Sequence, residues 1–249
     1  MNNNIENAPR GNTQKNVNKG IFEYLLTRIV AQKSFKWLDI PCGAGEFLTF
    51  AHEIFPNAIL NGVDIVPMPE KPTFITFKQA NLSKDVLTFN DEKFDLITSV
   101  SGVMMFGNTQ FFLENTCKNL KEDGLIIVSN DNCFTIRDRL SYFFLGRLRR
   151  FNLLFERDEG LTQFVPQQEI YRLLDKNEIK VKEVVYTSFY AEDLLFLPFL
   201  LLVLPFQYLY LWKLKSHISK KLRFQIFGWK SLIFRHYFFI GEKTIPEKN

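Results

Sequence analysis

The chain has 249 residues, of which 46% are hydrophobic and 23% charged, so it is long enough to bury a full core and too apolar to be disordered throughout. Its formal net charge of +4 is too small to indicate a nucleic-acid-binding protein by itself. Three widely spaced cysteines exclude a disulfide framework and give no metal-ligand spacing, which is typical of a reducing compartment. We expect residues 1–18, which are polar, to form a flexible N-terminus without a signal peptide, followed by one domain over 19–249.

The first half of the chain alternates predicted helices and strands. Helices are predicted over 19–33, 46–55 and 108–121, and strands over 35–40, 58–65, 74–77, 94–101 and 125–129. This alternation indicates a mostly parallel sheet with helices on both faces. Ligands of such sheets bind beyond the carboxyl ends of the strands. The polar residues that follow these strands are Asp39, Asp64, Asn81 and Ser99–Ser101.

The second half contains an apolar insertion before its last strand. An arginine-rich helix is predicted over 134–151, a helix after Pro166, and strands over 181–186 and 232–241. Between these strands, at about 189–231, lie 19 uncharged residues from Leu194 to Trp212 and a basic amphipathic stretch over 213–224. Gly124 is predicted to lie near the end of the 108–121 helix.

The apolar stretch is long enough to cross a bilayer, which takes about 18 residues. If the flanking strands belong to one sheet, a single crossing would place them on opposite sides of the membrane. Pro198 and Pro205 are also expected to break the helix. We therefore expect a kinked helix at the membrane surface, with the 137–150 arginines and the basic 213–224 stretch beside anionic headgroups. A cap on the protein's own helices or on a second protomer is the alternative, and a single span is the third.

The stretch from Trp37 to Leu48, WLDIPCGAGEFL, combines a buried strand, a glycine turn and a helix N-terminus. Glycines lacking a Cβ let a ligand approach backbone N–H groups. With NGVDI, KQANL and the run from Phe94 to Asn130, this motif resembles the class I S-adenosylmethionine-dependent methyltransferases of the "type 11" kind, over about 19–186. The resemblance implies a Rossmann-like seven-stranded, mostly parallel α/β sheet and S-adenosyl-L-methionine as cofactor.

The resemblance also implies roles for particular residues. Gly43 and Gly45 would lie against the methionine part of the cofactor, and Asp39 would bind its ammonium group. Asp64 would accept both ribose hydroxyls, which suits a carboxylate. Asn81 would meet the adenine amine and Leu82 the adenine face, although many relatives carry Asp where this chain has Asn81. The remaining expected cofactor contacts are Ser99, Cys42 and Ile65.

A dinucleotide-dependent oxidoreductase is the nearest alternative, because an acid about 20 residues past a glycine turn also marks ribose binding there. That fingerprint needs a third glycine, and Leu48 occupies its place. A nucleic-acid methyltransferase is less favoured, since no Asn-Pro-Pro-aromatic motif follows the fourth strand. A catalytically inactive member of the same fold, acting as a membrane-associated binding protein, also stays open.

The acceptor side carries no predicted general base. Relatives often have an acid and a histidine after the fourth strand, whereas this chain has Ser101 and Met105 there. His52 is expected on a helix surface, His217 against headgroups or solvent, and His236 in a strand without a catalytic role. Asp131 and Asn132, just past the fifth strand, could contact an acceptor, but they are expected to cap the next helix. Catalytic residues are therefore unassigned, and no metal is expected.

The sequence thus predicts an S-adenosylmethionine-dependent methyltransferase located in the cytoplasm, peripheral at the inner face of the membrane. Its acceptor would be a small or lipid-linked molecule, such as an intermediate of glycan or isoprenoid-quinone assembly. No nucleic-acid partner is expected, and the sequence assigns neither the oligomeric state nor the acceptor atom.

Overall fold

The computed structural model describes residues 5–68, 70–89, 92–151 and 163–244. Its sheet has seven strands in the order β3-β2-β1-β4-β5-β7-β6. The neighbours from β3 to β5 pair in parallel, whereas β7 is antiparallel to both β5 and β6. The predicted mostly parallel seven-stranded sheet is confirmed. The strands are β1 (Lys36–Asp39), β2 (Ile59–Asp64), β3 (Ile75–Gln79), β4 (Phe94–Ser99), β5 (Leu120–Asp131), β6 (Ile179–Thr187) and β7 (His236–Lys243).

Helices cover both faces of this sheet. They are α1 (Val17–Arg28), α2 (Glu46–Ile54), α3 (Thr109–Cys117), α4 (Ile136–Leu145), α5 (Gln167–Lys176), α6 (Leu197–Lys213), α7 (Lys220–Phe227) and α8 (Trp229–Ile233). Neighbouring strand residues face opposite cores: Leu38 packs with α3, α5 and α7, and Trp37 packs with α1 and α2. The period-2 alternation of each strand therefore supplies two cores, one on each side of the sheet.

Several element boundaries differ from the sequence prediction. Asn108 caps α3 as expected, since its side chain accepts a hydrogen bond from the Phe111 N–H. Gly124, however, lies inside β5 and does not end the preceding helix. The arginine-rich helix ends at Leu145, because Gly146 adopts a left-handed conformation with φ +68°. The last strand begins at His236, since 229–233 form α8.

The apolar insertion folds as a 3₁₀ turn, Ala191–Phe196, followed by α6. Pro198 lies in the first turn of α6, and the helix continues on both sides of Pro205, so the expected break is absent. Within the described part of the chain, the run Ala191–Lys213 is the one helical stretch that is long and apolar enough to cross a membrane. Its most apolar window has a mean hydropathy of 2.1, and only 11% of that window is buried.

Candidate active site

Two connected cavities lie at the carboxyl ends of β1, β2 and β4, where the strand order reverses. Their volumes are about 870 and 1500 Å³, and they share Gly43, Asp64 and Met105. The smaller cavity extends towards β5, and the larger extends towards β3. A ligand site at this switch point agrees with the rule for open parallel sheets.

The glycine turn between β1 and α2 forms the floor shared by both cavities. Gly43 has φ +54°, and a Cβ there would meet nothing within 4 Å, so its backbone faces open space. Gly45 has φ +85°, and a Cβ there would lie 2.9 Å from Cε of Met68. Cys42 is buried under the turn, and its Sγ occupies the space that a side chain at Gly62 would need. Both turn glycines are therefore required, one for ligand approach and one for packing.

Asp64 ends β2 at the rim of both cavities. Its Oδ2 accepts from the Gly43 N–H at 2.8 Å, and its Oδ1 accepts from the Val66 N–H at 2.9 Å. Each carboxylate oxygen keeps a second lone pair for a ligand hydroxyl. The carboxylate thus orders the glycine turn as well as facing the expected position of the ribose.

Asp39 ends β1 and is almost fully buried at the smaller cavity. Its Oδ1 accepts from the Thr98 hydroxyl at 2.6 Å, and that hydroxyl accepts from the indole N–H of Trp37 at 2.9 Å. Burial, opposed by the Thr98 hydrogen bond and aided by the negative charge of Asp64, raises the pKa of Asp39 to about 8. A cationic group in the cavity would favour the ionised form, which fits the ammonium group that the resemblance places here.

The larger cavity carries the residues expected around the adenine. Asn81, Leu82 and Ile65 all line it. The Asn81 side chain also forms the turn after β3, because its Oδ1 accepts from the Ser83 N–H at 3.0 Å. Leu82 is buried, whereas Ile65 is half exposed, so together they offer apolar surface on a rim open to solvent.

Contrary to the sequence prediction, Ser99 lines neither of the two cavities. Its side chain is completely buried at the end of β4, with no hydrogen-bond partner for its hydroxyl. Val100 and Ser101 line the smaller cavity in its place. Ser101 has φ +56°, and its N–H donates to the Ser129 hydroxyl at 2.9 Å. The chain therefore turns sharply after β4 and presents the Ser101 hydroxyl to the cavity.

Behind Ser101, next to the part of the smaller cavity near β5, lies a group that sequence reasoning missed. His236 is fully buried, with Nδ1 3.0 Å from Oδ1 of Asp131 and Nε2 3.3 Å from Oγ of Ser101. The expectation that Asp131 caps the next helix is wrong, because Thr135 caps α4. Asn132 also does not cap α4; its side chain accepts from the Phe134 N–H and donates to carbonyls around α8.

The position of His236 at the candidate site follows from the antiparallel direction of the last strand, β7. Because β7 is antiparallel to β5, its first residue lies at the same edge of the sheet as the carboxyl ends of the other strands. The register pairs His236 directly with Asp131. A histidine at the start of an antiparallel last strand therefore belongs to the candidate site.

The segment before α1 covers the smaller cavity. Residues 10–14 line it, with the Thr13 hydroxyl against the Ser101 hydroxyl. The segment is attached to the domain where the Ser188 hydroxyl donates to the Lys15 carbonyl at 2.6 Å and the Tyr190 hydroxyl donates to Oε1 of Gln14 at 2.8 Å. Helix α1 begins at Val17, inside the stretch predicted as a flexible N-terminus, and the domain boundaries stay a prediction.

The arrangement fits an adenosyl cofactor with an ammonium group. It offers an open glycine backbone, a carboxylate at the end of β2 for a diol, and a buried carboxyl at the end of β1 for a cation. When bound, S-adenosylmethionine supplies an activated methyl group. The individual contacts expected from the sequence stay predictions.

Residues 12–184 match the model of a family described as "Methyltransferase domain". The match covers more than half of the chain, and the chain belongs to this family. It is a class I S-adenosylmethionine-dependent methyltransferase, as the sequence predicted, and S-adenosyl-L-methionine is its cofactor.

Curated relatives and solved structures agree with this assignment. The chain is 22% identical to a ubiquinone biosynthesis O-methyltransferase of Rickettsia akari (65% of this chain, 67% of the relative) and 22% identical to a malonyl-[acyl-carrier protein] O-methyltransferase of Bacillus cereus (73% and 69%). Its fold is similar to that of Haemonchus contortus phosphoethanolamine N-methyltransferase 2 bound to S-adenosyl-L-methionine, with a TM-score of 0.56 at 16% identity (95% of this chain, 55% of that chain).

Proposed function

We propose that this methyltransferase acts at a membrane surface on an amphipathic or lipid-linked acceptor. The observation that carries the proposal is an exposed apolar surface, the apolar ridge, formed by Tyr142–Leu145 of α4 and Leu195–Trp212 of the insertion. On this ridge, Phe143, Leu195 and Phe206 are 79%, 78% and 71% exposed. Large exposed apolar side chains in such numbers mark interaction sites.

The apolar ridge lies close to the smaller cavity along the chain. Helix α4 begins five residues after Asp131, and Arg150, five residues beyond the exposed Leu145, lines the cavity and pairs with Asp131. Ile136 of α4 packs with Leu200 of α6 and with α8. An acceptor whose apolar part lies in a lipid layer against the ridge would therefore have its polar end near the cavity.

The helical run Ala191–Lys213 is called the ridge helix, and both of its ends are attached to the same domain. At the N-terminal end, Asp193 forms an ion pair at 2.6 Å with Arg235, which immediately precedes β7. At the C-terminal end, the buried Arg223 donates to the carbonyls of Leu211 and Leu214. Helix α7, which carries Arg223, packs on β6. These contacts favour a helix lying in the plane of the interface over a single span, which would separate its two ends.

Exposed lysines follow the ridge. Lys213, Lys215, Lys220 and Lys221 lie at or just beyond the end of α6 and are all exposed. By contrast, Arg137, Arg149 and Arg150 of the predicted second basic patch pair with Glu192, Asp138 and Asp131. These four lysines are thus the stronger candidate for contact with anionic lipid headgroups. Such headgroups attract each basic residue near the membrane surface by about 1 kcal/mol.

The names of the relatives support an amphipathic or lipid-linked acceptor without identifying it. One acts in ubiquinone biosynthesis and the other on malonyl-[acyl-carrier protein], and both are O-methyltransferases. We expect transfer of labelled methyl groups from S-adenosylmethionine into a bacterial total lipid extract. Absence of transfer by protein that binds the cofactor would contradict a lipid-linked acceptor.

Membrane contact is tested by flotation with vesicles of phosphatidylcholine and phosphatidylglycerol. The double variant Leu202→Glu/Phe206→Glu is expected to lose at least about tenfold in vesicle affinity, because burying one such side chain contributes about 1.5–3 kcal/mol. The matched control is Val30→Glu/Val86→Glu, which changes two similarly exposed residues away from the ridge.

A second copy of the chain is the competing occupant of the ridge. Gel filtration of the same variants distinguishes the two. A monomeric wild-type protein that floats, and a ridge variant that does not, support the membrane. A wild-type dimer that becomes monomeric in the ridge variant, with no flotation of either, would contradict the proposal.

A further inference from the structure

Four side chains from distant parts of the chain meet at the end of the smaller cavity near β5. The Ser101 hydroxyl contacts the Thr13 hydroxyl and lies 3.3 Å from Nε2 of His236. His236 Nδ1 lies 3.0 Å from Oδ1 of Asp131, whose other oxygen pairs with Arg150. Ser101, Thr13 and Asp131 line the cavity, whereas His236 is buried behind Ser101.

The charges around this cluster fix the direction of its hydrogen bonds. Burial alone would raise the pKa of Asp131, but the hydrogen bond from His236 and the neighbouring positive charges, including Arg150 and Arg149, lower that pKa below its usual value. An ionised Asp131 accepts the Nδ1–H of His236. With the single ring proton on Nδ1, Nε2 carries a lone pair directed at the Ser101 hydroxyl, 3.3 Å away.

The other groups next to His236 do not compete for that lone pair. Its neighbour on β6 is Thr187, which carries no charge. Arg235 immediately precedes His236 in the chain, and its guanidinium is paired with Asp193 and Glu192. From β5 and from the segment after α4, the facing charges are Asp131, Arg150 and Arg149.

Given the proposed function, we infer that Ser101 and His236 form a proton relay that removes the proton of a hydroxyl acceptor during methyl transfer. Ser101 contacts the acceptor, and His236 acts through it. As the acceptor oxygen bonds to the methyl carbon, the methyl–sulfur bond breaks and the sulfur keeps its electron pair. The acceptor proton moves to Oγ of Ser101, the Ser101 proton moves to Nε2, and the imidazolium is stabilised by Asp131.

The relay narrows the class of acceptor. A carboxylate is already ionised at neutral pH and needs no base, whereas a hydroxyl must lose a proton when it is methylated. Positioned general bases typically contribute about 10²–10⁴-fold to the rate. The cluster therefore indicates a hydroxyl-bearing acceptor in preference to a carboxylate.

The first test measures the tautomer of His236 and needs no acceptor. Full-length protein labelled with ¹⁵N-histidine is saturated with S-adenosylhomocysteine, and long-range ¹H–¹⁵N spectra are recorded from pH 6 to 9. We expect one imidazole with a protonated Nδ1 and a free Nε2, absent in His236→Gln and shifted in Ser101→Ala. His52→Gln is the control that leaves this signal in place. A protonated Nε2 throughout this range would overturn the relay.

The second test measures methyl transfer from labelled S-adenosylmethionine into a bacterial total lipid extract. His236→Gln is expected to reduce kcat at least about 100-fold at pH 7, with a smaller loss at pH 9, because the higher concentration of hydroxide then takes over part of the proton removal. Its dissociation constant for S-adenosylhomocysteine should stay within about threefold of wild type. Ser101→Ala and Ser101→Gly, which leave the buried imidazole in place, should show the same pH-dependent loss if His236→Gln does not fold.

The two proposals fail in different ways. If wild-type protein transfers methyl groups and the folded relay variants transfer them equally well at every pH, the relay is wrong and the proposed function stands. If wild-type protein transfers no methyl group to lipid, the proposed acceptor is wrong, and the tautomer spectrum still decides the geometry of the relay.

Discussion

The two sides of the candidate site are built in different ways. On the donor side, at the ends of β1, β2 and β3, the expected cofactor contacts other than Ser99 all come from the single stretch 39–82. The relay side takes Thr13, Ser101, Asp131, Arg150 and His236 from five separate parts of the chain. The donor side therefore depends on local turns, and the relay side depends on the register of the antiparallel β5–β7 pair. Substitutions should separate these two dependences.

The largest expected effect concerns the ion pair beside the relay. Arg235→Met removes the closer guanidinium partner of Asp193, which is 4% exposed, and leaves Arg137 at 3.6 Å. Breaking a buried pair costs about 3–5 kcal/mol, and because Arg137 remains we expect a loss in the free energy of unfolding towards the lower end of this range. Urea denaturation measures it. Arg172→Met breaks an exposed ion pair with Glu169 and should not change the free energy of unfolding measurably. Equal losses in the two variants would show that burial of an ion pair does not determine its contribution to stability.

On the donor side, Asp64→Ala should weaken binding of S-adenosylhomocysteine at least about 100-fold. The variant loses two hydrogen bonds to a charged group, each contributing about 1.5–3 kcal/mol, and it frees the Gly43 N–H. Isothermal titration checks this. Asp64→Asn keeps one acceptor oxygen and should lose less. An unchanged dissociation constant for Asp64→Ala would place the ribose elsewhere.

The two turn glycines, Gly43 and Gly45, can be compared with each other, and the expected effects of substituting them are smaller. Gly45→Ala should reduce the free energy of unfolding by at least about 1–2 kcal/mol, because the left-handed backbone is strained and the new Cβ contacts Met68. Gly43→Ala has the backbone strain without the contact and should be less destabilising, but its Cβ would enter the cavity and weaken cofactor binding. Thermal unfolding and titration of both variants separate packing from ligand approach.

A pH dependence of stability is expected from Asp39. Its carboxyl has a pKa of about 8 in the folded protein against a usual 3.8, so the folded state keeps a proton that the unfolded state releases. Its contribution favours folding fully below about pH 4 and is lost as the pH rises towards 8. Asp39→Asn should therefore flatten the decline of Tm over this range.

The same carboxyl should make cofactor binding dependent on pH. Binding of an ammonium group favours the ionised form, so the affinity of wild-type protein for S-adenosylhomocysteine should rise a few-fold from pH 6 to 8, with release of a proton. Titration in buffers of different ionisation enthalpy measures that release. If Asp39→Asn releases as many protons on binding as wild type does, the released proton comes from another group.

The donor side was predictable because its signals are local. Asp39, Gly43, Gly45 and Asp64 follow predicted strands within one strand–turn–helix unit and the next strand, so sequence spacing determines their positions. Ser99 was the exception. Sequence indicated that β4 ends near it, but the face to which its side chain points depends on the exact strand end, and one residue reverses that face.

The relay and the ridge helix show why the rest was not predictable. Sequence identified His236 as a strand residue, but its contact with Asp131 follows from a pairing across 105 positions. Likewise, composition indicated an apolar helix, whereas its attachment depends on the Asp193–Arg235 pair, 42 positions apart. Pairings over such separations are set by tertiary packing and leave no local pattern.

The antiparallel direction of β7 also has a practical consequence for these experiments. The strand starts at the cavity with His236 and ends at Lys243, on the opposite edge of the sheet. The first described residues, by contrast, lie close to the cavities, since Asn7 and Pro9 line the larger one. An affinity tag or fluorophore fused after Thr244 would leave the domain away from ligand and relay, whereas the same fusion before Ile5 would begin beside the cavities.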